Sequence, residues 1–183
     1  MLEPLEIAGV LSPDECHQVI AEAVTCESDA AALIGGVKEL ATRRAQIYWL
    51  NQEADSSWIF DRMLKTIAEA NRRHFGFQIE EFAEQMQVSQ YSADHSGFFD
   101  WHVDVGDGRF AARRKLTMVV QLSDDNAYEG GRLESNSDGL VRTASRQIGT
   151  TLILPSFVLH RVSPVLNGER FSLTLWSHGP AFR

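Results

Sequence analysis

The sequence predicts a mainly β fold of the α+β class: a double-stranded β-helix, the jelly-roll barrel of cupin-like proteins, backed by N-terminal helices. Three features predict it. Two helical patterns fall within the first 80 residues, and eight short alternating segments fill residues 81–183. Two histidines, His102 and His160, stand in separate segments that a closed β architecture routinely brings side by side.

Residues 5–10 read as a short strand leading into Ser12-Pro13-Asp14-Glu15, an N-cap with Pro at N1 and acids in the first turn. A helix to about Cys26 follows, burying Cys16, Val19, Ile20 and Val24. Residues 27–42 mix Ala, Gly and charge without a period and read as a mobile loop, either a lid or a variable connection. Gln46-Ile47-Tyr48-Trp49-Leu50 is a strand by its aromatic and β-branched content. Ser56 or Ser57 then caps a helix over 58–75, whose Ile59, Met63, Ile67 and Ala70 keep helical spacing for packing on a sheet. The expected strands run over 85–93, 98–104, 115–123, 131–135, 140–144, 151–154, 160–165 and 170–178. The whole, 1–183, reads as one domain: a helical support region over 1–80 and a jelly-roll core over 81–183.

Composition narrows the function classes. A net charge of −8 makes a phosphate backbone a poor partner, so no nucleic acid is expected. No apolar run is long enough to span a bilayer, and the acidic start MLEPLE does not read as a signal peptide, so a cytoplasmic protein away from membranes is expected. Cys16 and Cys26 fall in one expected helix, about 15 Å apart at the usual rise per residue, too far for a disulfide. Without a C-x-x-C pair, zinc-finger and thioredoxin readings are set aside.

The chemistry concentrates in YSADHSGFFDWHVD, from Tyr91, and LHRVSPVLNGER, from Leu159. His102 and Asp104 are two apart, so on an extended strand both leave the same face and can converge on a metal ion. Asp100 has the same parity, so either carboxylate qualifies. His160 completes two imidazoles and one carboxylate, the facial set of non-haem iron sites. Arg170 follows ten residues after His160, across a turn signal at Asn167-Gly168, and from the next strand its guanidinium can clamp a carboxylate. Arg170, Ser172, Thr174 and Trp176 share one face of that strand, and Phe171, Leu173 and Leu175 share the other. The polar face either meets solvent or lines a cavity, and the preceding His160 favours the cavity. Gln121, with the parity of Thr117 and Val119, can face the same pocket. His95 lies in a loop close to the site in sequence, and Arg109 and Arg113 belong to a basic run that forms either a rim for an acidic or peptide substrate or a solvated face.

Tyr91, His102-Val103-Asp104, Gly130-Gly131-x-Leu133, His160, Arg170 and Trp176 together resemble the Fe(II)/2-oxoglutarate-dependent dioxygenases of the prolyl 4-hydroxylase type, the PKHD-type hydroxylases among them. The resemblance covers about the C-terminal half. It implies Fe(II) held by His102, Asp104 and His160, and so chooses Asp104 over Asp100. It gives the far carboxylate of 2-oxoglutarate to Arg170, with Tyr91 and Thr174 as further donors, and sets Trp176 as a wedge in the barrel at the substrate rim. It implies O2 as oxidant, ascorbate as reductant, and hydroxylation of an unactivated C–H bond on a peptidyl or small-molecule substrate, with succinate and CO2 as co-products. The alternative is a metal-binding cupin, an oxygenase or isomerase that does not use 2-oxoglutarate.

Overall fold

Alternating side chains decide the architecture. The computed structural model describes residues 3–26, 28–30, 42–50 and 56–182. In chain order the elements are β1 (Leu5–Ile7), α1 (Pro13–Ala23), β2 (Ser28–Ala30), β3 (Arg43–Arg44), β4 (Gln46–Leu50) and α2 (Ser57–Ala70). There follow β5 (Met86–Ser92), β6 (Phe98–His102), β7 (Arg114–Gln121), β8 (Tyr128–Gly130), β9 (Leu133–Asn136), β10 (Val141–Thr143), β11 (Thr151–Pro155), β12 (Leu159–Val162) and β13 (Val165–His178).

The strands form two antiparallel sheets. The major one runs β1-β11-β7-β13-β5-β4-β2 with β8 attached to β13, and the minor one runs β10-β9-β12-β6-β3. On the major sheet Val88, Leu116, Met118, Val120, Ile153, Leu173 and Leu175 face outward and meet Cys16 and Val19 of α1 and Ile59, Phe60, Met63 and Ile67 of α2. The opposite parity of the same strands faces the minor sheet, where Tyr91, Val119, Leu152 and Leu154 join Tyr128, Leu133, Val158 and Val162 in a second cluster. Period-two alternation therefore separates an apolar helix-backed layer from a mixed layer between the sheets. Each fully buried aliphatic side chain in the first layer contributes roughly 1.5–3 kcal/mol.

Local signals explain most element ends. Ser12 and Glu15 form a reciprocal capping box, with Glu15 N donating to Ser12 Oγ (3.2 Å) and Ser12 N to Glu15 Oε2 (2.8 Å). The helix stops at Ala23, short of the expected Cys26, so Val24 lies outside the apolar stripe and is 48% exposed. Ser56 stands at the N-cap of α2 without capping it; its hydroxyl turns instead to Glu22 Oε2 (3.3 Å). After Ala70 the chain makes one wider turn, Asn71–Phe75, and Gly76 ends it in the left-handed region.

Four expectations are corrected. Part of the presumed loop, Ser28–Ala30, is a strand paired with β4, and 31–41 lie outside the described residues. The strand expected over 131–135 is β9, which starts only at Leu133, and an unexpected strand, β8, precedes it and ends at Gly130. Gly130 has φ +73° and a Cβ there would stand 2.2 Å from the Pro164 carbonyl oxygen, so only glycine lets the chain pass. Asn167-Gly168 is not a hairpin turn but lies within β13, paired with Glu129 and Tyr128 of β8 just after a register shift between Val165 and Asn167, and the crossing from minor to major sheet falls at Ser163-Pro164. The strand expected to reach Asp104 ends at His102.

Among the described residues no helix is long and apolar enough to cross a membrane. Met63 is fully buried between α2 and the major sheet. Met63→Ala is expected to destabilise by about 2–5 kcal/mol, and thermal unfolding checks it as a Tm drop of about 5 °C or more, against an exposed Lys65→Ala control that stays within about 2 °C.

Candidate active site

The antiparallel register of β12 on β6 sets His160 opposite His102, with ring centroids 4.2 Å apart. Asp104 reaches them from a bend rather than from strand alternation. Its backbone N–H donates to the Ser156 carbonyl (2.8 Å), which turns the carboxylate back toward the imidazoles. His102 Nε2 then lies 3.6 Å from Asp104 Oδ1, and His160 Nε2 lies 3.6 Å from Asp104 Oδ2. The potential ligand atoms of the three residues all fall within 4.8 Å of one another.

Hydrogen bonding fixes how each group is presented. His102 Nδ1 donates to the Asp100 carbonyl (2.7 Å) and His160 Nδ1 to the Val158 carbonyl (2.9 Å), which leaves both Nε2 lone pairs facing the common point. Asp104 Oδ2 accepts from Thr117 Oγ1 (2.7 Å) and Trp176 Nε1 (2.9 Å). With its proton given to Asp104, Thr117 Oγ1 accepts from Ser156 Oγ (3.0 Å). The Phe99 ring lies parallel to His102 at 3.4 Å. Asp100 is exposed, its Oδ1 accepting from the Trp101 N–H, and its carboxylate takes no part in the cluster.

The protonation states suit metal binding. Burial, reinforced by the charge of His160 and opposed by Asp104, pushes His102 down to about 4. Burial works to raise the Asp104 carboxyl, but His160, His102, Arg114 and the Thr117 hydrogen bond outweigh it and hold it at about 2. At neutral pH the cluster thus offers His102 as a neutral imidazole beside the Asp104 carboxylate, and two nitrogens with one oxygen on one side of an ion match ferrous iron with open positions.

The carboxylate anchor lies deeper. Arg170 is fully buried; Nη2 donates to Gln121 Oε1 (2.9 Å), Nη1 to Ser172 Oγ (3.3 Å), and Nε has no partner. Its Cζ sits 5.5 Å from the centre of the Tyr91 ring, the residue opposite it in the β5–β13 register. Gly131 makes room for it, since a Cβ there would meet Arg170 Cδ at 3.1 Å. Among the described residues no carboxylate stands within ion-pair distance of Arg170. A buried guanidinium without a counter-charge is costly unless an anion joins it, so these residues fit a carboxylate-bearing co-substrate.

A cavity of about 570 Å³ connects the parts. Tyr91, His102, Asp104, Thr117, His160, Ser172, Thr174 and Trp176 line it, whereas Arg170 and Gln121 lie beneath its floor, behind Ser172 and Tyr91. Of the rim candidates, Arg109 lines the mouth. Arg113 is turned away to Glu80 and Glu81, and His95 sits exposed on a turn off the cavity. Sequence reasoning passed over Arg43, Glu84, Phe99 and Ser156; of the added polar neighbours only Thr117 had a signal, its shared parity with Gln121. Glu84 holds Arg114 through two hydrogen bonds and also meets His178 Nε2 (2.8 Å), while Arg114 lies 4.1 Å above the Trp176 ring. Burial would raise the Glu84 carboxyl, but Arg114 and His178 bring it to about 2.

These shifts give a pH dependence for the metal-free protein. His102 is depressed from 6.5 to about 4, so between those values the unfolded chain binds a proton that the folded one refuses, and stability falls as pH drops through that window. The loss is on the order of 3 kcal/mol. Below it, Asp104 and Glu84 add further loss as pH approaches about 2. Thermal unfolding in chelator from pH 7 to 4 is expected to show this slope, and His102→Asn to flatten it.

Comparison with known proteins agrees with this geometry. The profile of the 2OG-Fe(II) oxygenase superfamily matches residues 86–178, just over half the chain. A PKHD-type hydroxylase of Hyphomonas neptunium is 32% identical over 133 residues, which are 69% of this chain and 58% of that protein; another, of Nitrosomonas europaea, is 28% identical over 178 residues, 92% and 75% respectively. The chain thus spans under three fifths of the length of the first. Among solved structures, a prolyl-4-hydroxylase of Pseudomonas putida superposes with a TM-score of 0.79 at 23% identity, over 96% of this chain and 92% of that one. A viral collagen prolyl hydroxylase from Paramecium Bursaria Chlorella virus-1, in complex with 2OG, gives 0.71 at 22% identity, over 97% and 96%. At such identities these two likenesses speak to the double-stranded β-helix fold. From the profile match over its catalytic-type half, the chain belongs to the 2OG-Fe(II) oxygenase superfamily.

Proposed function

We propose that this protein is an Fe(II)- and 2-oxoglutarate-dependent hydroxylase of the prolyl 4-hydroxylase type, acting on a peptidyl or amino-acid substrate. One observation carries the reading: a His-Asp-His cluster shares an inward face with a fully buried arginine that no carboxylate of the described residues neutralises. In this reading His102, Asp104 and His160 hold the iron. Arg170 holds the far carboxylate of 2-oxoglutarate, Gln121 orients its guanidinium, and Tyr91 and Thr174 supply further donors from the cavity wall. When bound, iron with 2-oxoglutarate and O2 supplies C–H hydroxylation, with succinate and CO2 as co-products. The protein turns both Nε2 atoms toward the metal position through the Nδ1 bonds to carbonyls, holds Asp104 through Thr117 and Trp176, and walls the site with Phe99 and Trp176 against bulk water. Trp176 and Arg109 border the substrate side, and ascorbate serves as reductant.

Anaerobic addition of Fe(II) and 2-oxoglutarate is expected to produce the visible metal-to-ligand charge-transfer band, and a cupin that does not use 2-oxoglutarate gives none. His160→Ala is expected to abolish both the band and succinate formation; full succinate formation by that variant refutes the assignment. Arg170→Lys is expected to raise the 2-oxoglutarate requirement about 30-fold or more, the size of a lost bidentate charged contact, while iron still binds. Asp100→Ala is expected to keep activity that Asp104→Ala loses.

A further inference from the structure

A second guanidinium reaches the cavity from the other side of the cluster. Arg43 stands on β3, opposite Phe99 of β6, and its Cζ lies 4.5 Å above the Phe99 ring, the ring that stacks on His102 at 3.4 Å. Arg43 Nη2 donates to Ser89 Oγ (3.1 Å), and Ser89 faces Ser172 across the β5–β13 register. The Arg43 Nε is buried and has no partner. Of the other arginines that line the cavity, Arg114 is neutralised by Glu84, and Arg109 stands exposed at the rim over Phe110, where water solvates its charge. No carboxylate of the described residues stands within ion-pair distance of Arg43.

Arg43 thus shares with Arg170 the absence of an anionic partner among the described residues. The proposed function, on which this step rests, assigns one carboxylate to Arg170, and the metal-binding end of the same molecule lies against the iron. Arg43 is left with an unpartnered, buried Nε one aromatic ring away from the candidate metal ligand His102. We propose that Arg43 anchors a carboxylate of the primary substrate, so that the molecule hydroxylated is a free acid of amino-acid size and not an internal residue of an uncharged peptide. A guanidinium offers two parallel N–H donors to such a group, and the half-buried position beside Phe99, with Nε itself buried, limits competition from water. Its nearness to His102 sets the reacting carbon within a few bonds of the carboxylate. The cavity volume lies in the range of small-molecule sites.

The test uses protein loaded with Fe(II) and 2-oxoglutarate. Binding of L-proline and the other free protein amino acids, each against its carboxamide, is measured by calorimetry without O2, and succinate formation is followed with O2. At least one free acid is expected to bind and stimulate turnover, with its amide at least tenfold weaker. Arg43→Met keeps the aliphatic stem over Phe99; it is expected to weaken the acid tenfold or more, erase the acid-over-amide preference, and leave the KM for 2-oxoglutarate within twofold. Arg43→Lys is expected to restore part of the loss. The assignment is overturned if no free acid binds, if amides or an N- and C-capped prolyl peptide serve equally well, or if Arg43→Met raises the 2-oxoglutarate requirement instead. Should Arg43→Met fail to fold, the acid-to-amide ratio of the unaltered protein decides alone. Absence of the charge-transfer band in the unaltered protein counts against the iron and 2-oxoglutarate reading, whereas an intact band with equal acid and amide binding counts against Arg43 only.

Discussion

The pairing of β12 with β6 is the constraint on which the site depends. It sets His160 opposite His102 across an antiparallel ladder, and a shift of a single residue would turn His160 from the space between the sheets to the outer face. The neighbouring offset between His160 and Val162 shows that the ladder is locally adjusted around this contact. Asp104 then needs no strand of its own. A backbone bond to Ser156, at the start of the loop into β12, brings it to the pair, so the same loop supports the second histidine and orients the carboxylate.

The major sheet performs two tasks through alternation. Its outward residues fill an apolar layer under α1 and α2, which makes the sheet rigid, and its inward residues are free to be polar. Thr117, Ser172, Thr174 and Gln121 stand on that inward side, and several are spent holding other functional groups in place. Burying so many polar side chains is tolerable because most of their atoms are paired, the Nε atoms of Arg43 and Arg170 being among the few that are not.

Charge pairing separates supporting residues from candidate binding residues. His17, His74 and His178 meet Asp124, the Glu3 carbonyl and Glu84, ordinary roles for histidines at surfaces and in ion pairs. Arg113, Arg114 and Arg161 likewise face carboxylates. Against that background Arg170, buried without a counter-charge among the described residues, differs in kind, as does the close approach of the His102 and His160 rings.

Much of this was legible in the residue pattern. The period-two alternation in β13 separates Arg170 from Leu173 and Leu175, the capping signal at Ser12 starts α1, and the spacing of His102, Asp104, His160 and Arg170 names the chemistry, because local patterns carry face and residue type. What the pattern could not carry was pairing between distant segments. The strand that seemed to deliver Asp104 ends before it, the apparent turn at Asn167-Gly168 lies inside a continuous strand, and Arg43 and Glu84 enter the site from elements whose own sequences hold no sign of it. Those outcomes depend on register and on backbone bonds between residues far apart in the chain, and only the folded sheets decide them.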